Sequence, residues 1–197
     1  ADVGAKPSAS HASASATDLR ASRLSLRSVH GTRMAVRQES AKTIGAASSA
    51  AAATMAMVGL IWTVQVVHYP LFESVGAEAY PNYQSRHIDR IGAVLVVPWG
   101  LEGLSIVALL VLARERTMRV LAVAGAALMG LILLVTMIWA APVHGELLDG
   151  FDPEQHDTLM VSNLVRTLLW TARGGVAMAM VWVLLARQTD SVTKTTR

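Results

Sequence analysis

The chain has 197 residues, 53% of them hydrophobic and 16% charged, with a formal net charge of +3. A soluble domain carries about 25% charged residues, so the deficit points to an integral membrane protein. With no cysteine, disulfides, thiolate zinc sites, Cys-ligated iron–sulfur clusters and cysteine nucleophiles are excluded.

Residues 1–45 come first and are a different material from the rest. They are rich in Ser, Ala and Arg, poor in acids, and contain no long apolar run. This composition predicts a disordered or transit-like basic tail. Met34 is the favoured start of the protein proper, with the preceding residues a leader. No cleavable secretory signal is visible, because the first apolar run is too long and too far along the chain.

Hydrocarbon about 30 Å thick needs about 20 helical residues to cross it. Four segments reach that length: 47–67, 91–112, 120–141 and 163–186. The last is apolar only from Gly174 and must reach back to Asn163, which takes Arg166 and Arg173 into the membrane. The runs show no polar alternation, and Ala, Leu and Met favour helix. Short connections make sequential neighbours antiparallel. The expected fold is therefore all-α, an antiparallel four-helix transmembrane bundle over 46–187, with a cytoplasmic tail over 188–197.

Lys and Arg number seven before span one, two in the first loop, three in the second, none in the third and three after span four; Arg166 and Arg173 complete the 17. Acids concentrate in the third loop, at Glu146, Asp149, Asp152, Glu154 and Asp157. Excess basic residues stay on the cytoplasmic side, so both termini and the 114–119 turn are expected inside and the two longer loops outside. A bacterial inner membrane is favoured, with the mitochondrial inner membrane as alternative. The basic residues flank membrane ends without interleaved aromatics, and nucleic acid is excluded as a partner. The expected partners are the lipid bilayer and either a second copy of the chain or a larger membrane complex.

Small residues recur every four positions, at Ala52 and Ala56, at Ala122, Ala126 and Gly130, and at Gly175 and Ala179. Such spacing suits close helix packing in lipid, although alanine-rich helices also produce it by chance. Pro70 and Pro142 are expected to end spans one and three, and Pro98 to kink span two and free the Val94 carbonyl. The Asp152-Pro153 step reads as a turn or helix start.

Polar residues inside the spans say more. Asn163, Arg166, Trp170 and Arg173 share one helix face, and Gln84, His87, Ile91, Pro98, Glu102 and Ser105 follow a compatible spacing. Span one adds Gln65 and His68, and span three adds Thr136 with His144 just beyond it. Lipid cannot satisfy such stripes, so they must face protein or a wet cavity. At 1.5 Å per residue, Glu102 and Arg173 lie about 15 and 20 Å from the same side, which predicts a buried ion pair. That pair either locks the helix register or belongs to a site.

His68, His87 and His144 map to the outer side. They read as interfacial or hydrogen-bonded rings, as proton-handling or substrate-contacting groups, or as ligands of a metal or haem. No H-x-x-x-H or H-E-x-x-H motif supports the last. His156, in an acidic and exposed loop, is the weakest candidate.

Three motifs, His68-Tyr69-Pro70-Leu71-Phe72, Ala141-Pro142-Val143-His144-Gly145-Glu146-Leu147 and Asn163-Leu164-Val165-Arg166, carry a resemblance. The chain over 47–186 resembles the small four-span membrane proteins grouped with fungal anthrone oxygenases. The resemblance implies a membrane oxygenase or oxidoreductase acting on lipophilic aromatic substrates.

Three classes of function are compatible with these residues. In the first, an outer cavity is catalytic, with His68, His87, Glu102, His144 and Arg166 as acid–base or polarising groups and Gln65, Tyr69, Asn163, Trp170 and Arg173 contacting substrate. In the second, the cavity passes a small solute or proton through Glu102. In the third, the chain is an accessory subunit of a membrane complex. The cofactor, if any, is a metal or haem that the sequence does not identify.

Overall fold

The computed structural model describes backbone from residue 9 to 195 and the side chains of residues 31, 34, 35 and 38–189. The tail expected over 1–45 falls mostly outside the described side chains, although its backbone is helical from Ala9. The chain divides into two units, Ala1–Lys42 and Thr43–Arg197, and the polar groups of the bundle all belong to the second.

Helix α1 spans Ala9–Thr63 and continues through a π turn, Val64–His68, and a 3-10 turn, Pro70–Ser74. Helix α2 is Tyr80–Leu112, and α3 is Arg116–Val135. A second π turn, Thr136–Ala140, carries α3 into the short α4, Ala141–Glu146, and a 3-10 turn, Leu147–Asp149. Helix α5, Pro153–Thr195, closes the bundle. Four of these stretches, Gln38–Ser74, Tyr80–Leu112, Arg116–Asp149 and Pro153–Thr189, are long and apolar enough to cross a membrane. The protein is an all-α, four-span membrane protein.

The helices overrun the apolar cores in which the spans were expected, because their outer turns are amphipathic and satisfy their own backbone. Asp152 starts α5 in the ordinary way. Its carboxylate accepts from the backbone N–H of Glu154 at 2.8 Å and Gln155 at 2.9 Å, with Pro153 in the first turn. Neither Pro70 nor Pro142 ends its helix. Each follows a π turn, in which the ladder is reset from i−4 to i−5 just where proline removes a donor and crowds the i−4 carbonyl. The chain therefore stays helical past the point at which sequence reasoning stops it.

Three apolar clusters stack along the bundle. At the end bearing the short 113–115 turn, Ala47, Ala50, Leu109, Met118, Ala122 and Met180 pack together. In the middle are Met57, Ile61, Met129, Ile132 and Trp170. At the long-loop end, Phe72, Tyr80, Leu147 and Leu159 are fully buried with Val64, Tyr69 and Val143. The small-residue seam differs from the expected one. Of the expected residues Ala122 is buried, Ala126 and Ala179 are half-buried, and Ala52, Ala56, Gly130 and Gly175 face outward; other buried small residues include Ala47, Ala50, Ala53, Gly125, Gly174 and Ala177. In a chain this rich in alanine, four-residue spacing marks two faces equally and does not choose between them.

The two helical hairpins repeat each other. The π turns begin at Val64 and Thr136, and the prolines pair as Pro70 with Pro142 and Pro81 with Pro153, each separated by 72 positions (136 − 64, 142 − 70, 153 − 81). Buried positions follow the same shift: Ala50 matches Ala122, Met57 matches Met129, Gln84 matches His156 and Ser105 matches Ala177. The repeat is one of equal sense, so both hairpins begin on the same side.

Candidate functional site

The polar stripes of α2 and α5 turn inward. Gln84, Glu102, Asn163 and Thr167 are completely buried, and Ser105, His87, Trp170 and Arg173 nearly so. They form two separate groups, one deep and one at the long-loop end.

The deep group is an ion pair. Arg173 donates to Glu102 Oε2, and the Thr54 hydroxyl contacts Glu102 Oε1 and the Ala50 carbonyl, the latter at 2.7 Å. Both carboxylate oxygens are thus taken up inside the bundle. Each charge alone would cost about 2.5–3.5 kcal/mol or more at mid-membrane; paired, each neutralises the other, while Arg173 Nε has no partner among the described residues. The guanidinium needs a gap to reach Glu102, and Gly125 provides it, since a Cβ there would stand 2.6 Å from Arg173 Nη1. Thr54 and Gly125 gave no signal in the sequence, where each is one small residue among many in an apolar run.

The group at the long-loop end is built by the two π turns. The first ends on His68 and sets Tyr69 inward; the second lies one turn before His144. His68 Nε2 and His87 Nδ1 are 2.9 Å apart, one donating to the other. His87 stacks on His144, with ring centroids 5.3 Å apart. His144 is held by the Tyr69 hydroxyl at 2.8 Å on Nε2 and by the Gln84 amide at 3.0 Å on Nδ1. Phe72 sits edge-on to His68 and His87 at 5.3 and 5.2 Å.

His156 corrects the sequence reading. It is not exposed but buried, and its Nε2 donates to the Tyr69 carbonyl at 2.8 Å. The Asp152 cap fixes the first turn of α5 and so turns this ring into the bundle, whatever the acidity of its neighbours. Below the histidines, Arg166 donates to Asn163 Oδ1 and Asn163 Nδ2 to Gln65 Oε1, both at 2.8 Å. This arm joins α5 to the first π turn.

Two hollows adjoin these groups. A pocket of about 360 Å³ opens beside His68, Tyr83, Arg86, His87, Arg90, Ile91 and Val94. An inner cavity of about 50 Å³ lies among Met57, Tyr69, Trp99, Thr136, Arg166 and Trp170; it has room for a water-sized molecule, whose share of liquid volume is about 30 Å³. Among the described residues, five buried side-chain atoms have no protein partner: Tyr80 Oη, Gln84 Oε1 and His87 Nε2 at the long-loop end, Trp99 Nε1 beside the inner cavity, and Arg173 Nε in the deep pair. Buried polar atoms are usually satisfied, and three of these five lie at the long-loop end, where water or a ligand would satisfy them.

No family model, no curated protein and no solved structure matches this chain.

Metal ligation, one of the three readings open for His68, His87 and His144, finds no support in the hydrogen bonds of these rings. Two of the rings bond to each other, and both nitrogens of the third are engaged by Tyr69 and Gln84. Among the described residues no group of three His, Cys, Asp or Glu is placed to hold a metal ion. The geometry is that of a hydrogen-bonded imidazole–phenol cluster.

Proposed function

We propose that this four-span protein binds a lipophilic substrate at its long-loop end and moves a proton to or from it through the His68–His87 pair. The observation that carries this reading is the 2.9 Å bond between these rings in the wall of the 360 Å³ pocket, with His87 Nε2 left unpartnered. An imidazole with an imidazole behind it accepts a substrate proton at one nitrogen and releases another from the far ring. His144, held by Tyr69 and Gln84, stacks against His87 and keeps it in register. Arg166 polarises a group reaching into the inner cavity.

Proton removal from an acidic C–H or O–H of an aromatic ketone or phenol leaves an electron-rich anion. That is the form in which such a molecule meets dioxygen, the co-reactant in this reading. The oxygenase or oxidoreductase class comes from the likeness to anthrone oxygenases; the residues supply binding and proton movement. Glu102 and Arg173 take the role of register lock, because the carboxylate has no free oxygen to offer. By the distribution of Lys and Arg, the site opens on the non-cytoplasmic side, with both termini in the cytoplasm.

The test uses the full chain in lipid nanodiscs with anthrone as probe, following oxygen uptake and absorbance. Wild type should exceed empty nanodiscs, and His87→Ala and His68→Ala should each lose about 100-fold or more, as expected for a general base. Wild type no faster than empty nanodiscs, or variants as fast as wild type, overturns the reading.

A further inference from the structure

The pocket beside His68 and His87 has a wall that proton transfer does not use. Arg86 and Arg90 stand one turn apart on α2, both exposed and both lining this hollow. Neither has an ion pair or hydrogen bond among the described residues. They are the two basic residues of the first loop region, and the third loop has none. Two unpaired guanidiniums on this side run against the charge distribution that otherwise orients the chain.

The fold does not demand them. The corresponding positions of the second hairpin, 72 residues on, are Thr158 and Ser162, and the counterpart of His87 is Leu159. The second hairpin packs without charge there.

Below the arginines the same helix stripe turns apolar. Ile91 and Val94 complete the pocket, and Val97, Leu101 and Leu104 continue the stripe at three- and four-residue steps, 67%, 45% and 73% exposed. From Arg90 to Leu101 is about 16 Å at 1.5 Å per residue, half of a hydrocarbon layer about 30 Å thick. A cationic fork thus stands at the membrane surface above a one-leaflet apolar track, with two imidazoles on the inner side.

We infer that this pocket takes a membrane-resident amphiphile with an anionic head, a carboxylate or phosphate, held by Arg86 and Arg90 while its apolar body lies along Val94, Val97 and Leu101. Guanidinium groups match both heads by paired N–H donors. The ligand enters sideways from the lipid, so its reactive part comes against His68 and His87 without crossing water. The inference rests on the proposed site in that it assigns the substrate class of that site.

Binding is measured on the full chain in phosphatidylcholine nanodiscs at pH 8, with palmitate and dodecyl phosphate, with methyl palmitate as the neutral match, and with inorganic phosphate as the free anion. An anionic amphiphile should bind at least tenfold tighter than the ester. The double variant Arg86→Gln with Arg90→Gln should reduce it to the ester's level while leaving the ester unchanged. Equal binding of acid and ester, or an unaffected double variant, overturns the inference. Inorganic phosphate displacing palmitate at equal concentration also overturns it, in favour of a soluble-anion site. A His68→Ala protein separates the two readings. If it keeps charge-dependent binding and full turnover, the proton-transfer reading fails and this one stands; if turnover falls but binding never depended on charge, the reverse holds.

Discussion

Glu102 and Arg173 are both at least 98% buried, and each is the other's charged partner. A buried pair of this kind adds little over an apolar replacement, but removing one partner strands the other at a cost of about 3–5 kcal/mol. Glu102→Gln should therefore lower the thermal midpoint in detergent sharply. Adding Arg173→Met, which removes the stranded charge, should recover most of the loss. An unchanged midpoint in the single variant would show that the pair contributes nothing to holding the helices. This pairing could be inferred from the sequence, because in hydrocarbon a charge has few places to go and helical rise fixes its depth. Thr54, which touches the same carboxylate, could not. A threonine can satisfy its own hydroxyl on the preceding turn, as Thr63 and Thr136 do, so nothing in its position demands a distant partner.

At the scale of helices, the inward faces of α2 and α5 were legible from the spacing of Gln84, His87, Glu102, Asn163 and Arg173. Periodicity assumes a regular helix, however, and it fails where the turn changes. The π turns at Val64–His68 and Thr136–Ala140 each add a residue to one turn and rotate the remainder of the helix by about 100°. That rotation brings Tyr69 inward to His144 and carries both helices past their prolines. Pro142→Ala restores the missing donor and removes the clash, so the second π turn loses its cause. The variant should relax toward a plain α-helix and lose the Tyr69–His144 and Gln84–His144 bonds. Its thermal midpoint should stay within a few degrees of wild type while binding or turnover at the long-loop end falls tenfold or more. Activity retained in full would mean that the π turn is incidental to the site.

For the molecule as a whole, the four spans followed from composition, and their sidedness rests on charge alone. The cysteine-free chain allows a direct check. Asp149→Cys and Thr117→Cys place single thiols at exposed positions near opposite ends of the third span. In intact cells a membrane-impermeant maleimide should label the first and spare the second; the reverse pattern would invert the topology. The 72-residue recurrence could have been found from Pro70, Pro81, Pro142 and Pro153, but the charged residues that draw the eye do not obey it: Glu102 corresponds to Gly174, and Arg173 to Leu101. This mismatch has a consequence for assembly. Two copies of the first hairpin would set carboxylate against carboxylate, and two of the second guanidinium against guanidinium. Although built on one plan, neither half can be content with its own likeness, so opposite polarity at the centre selects the complementary half.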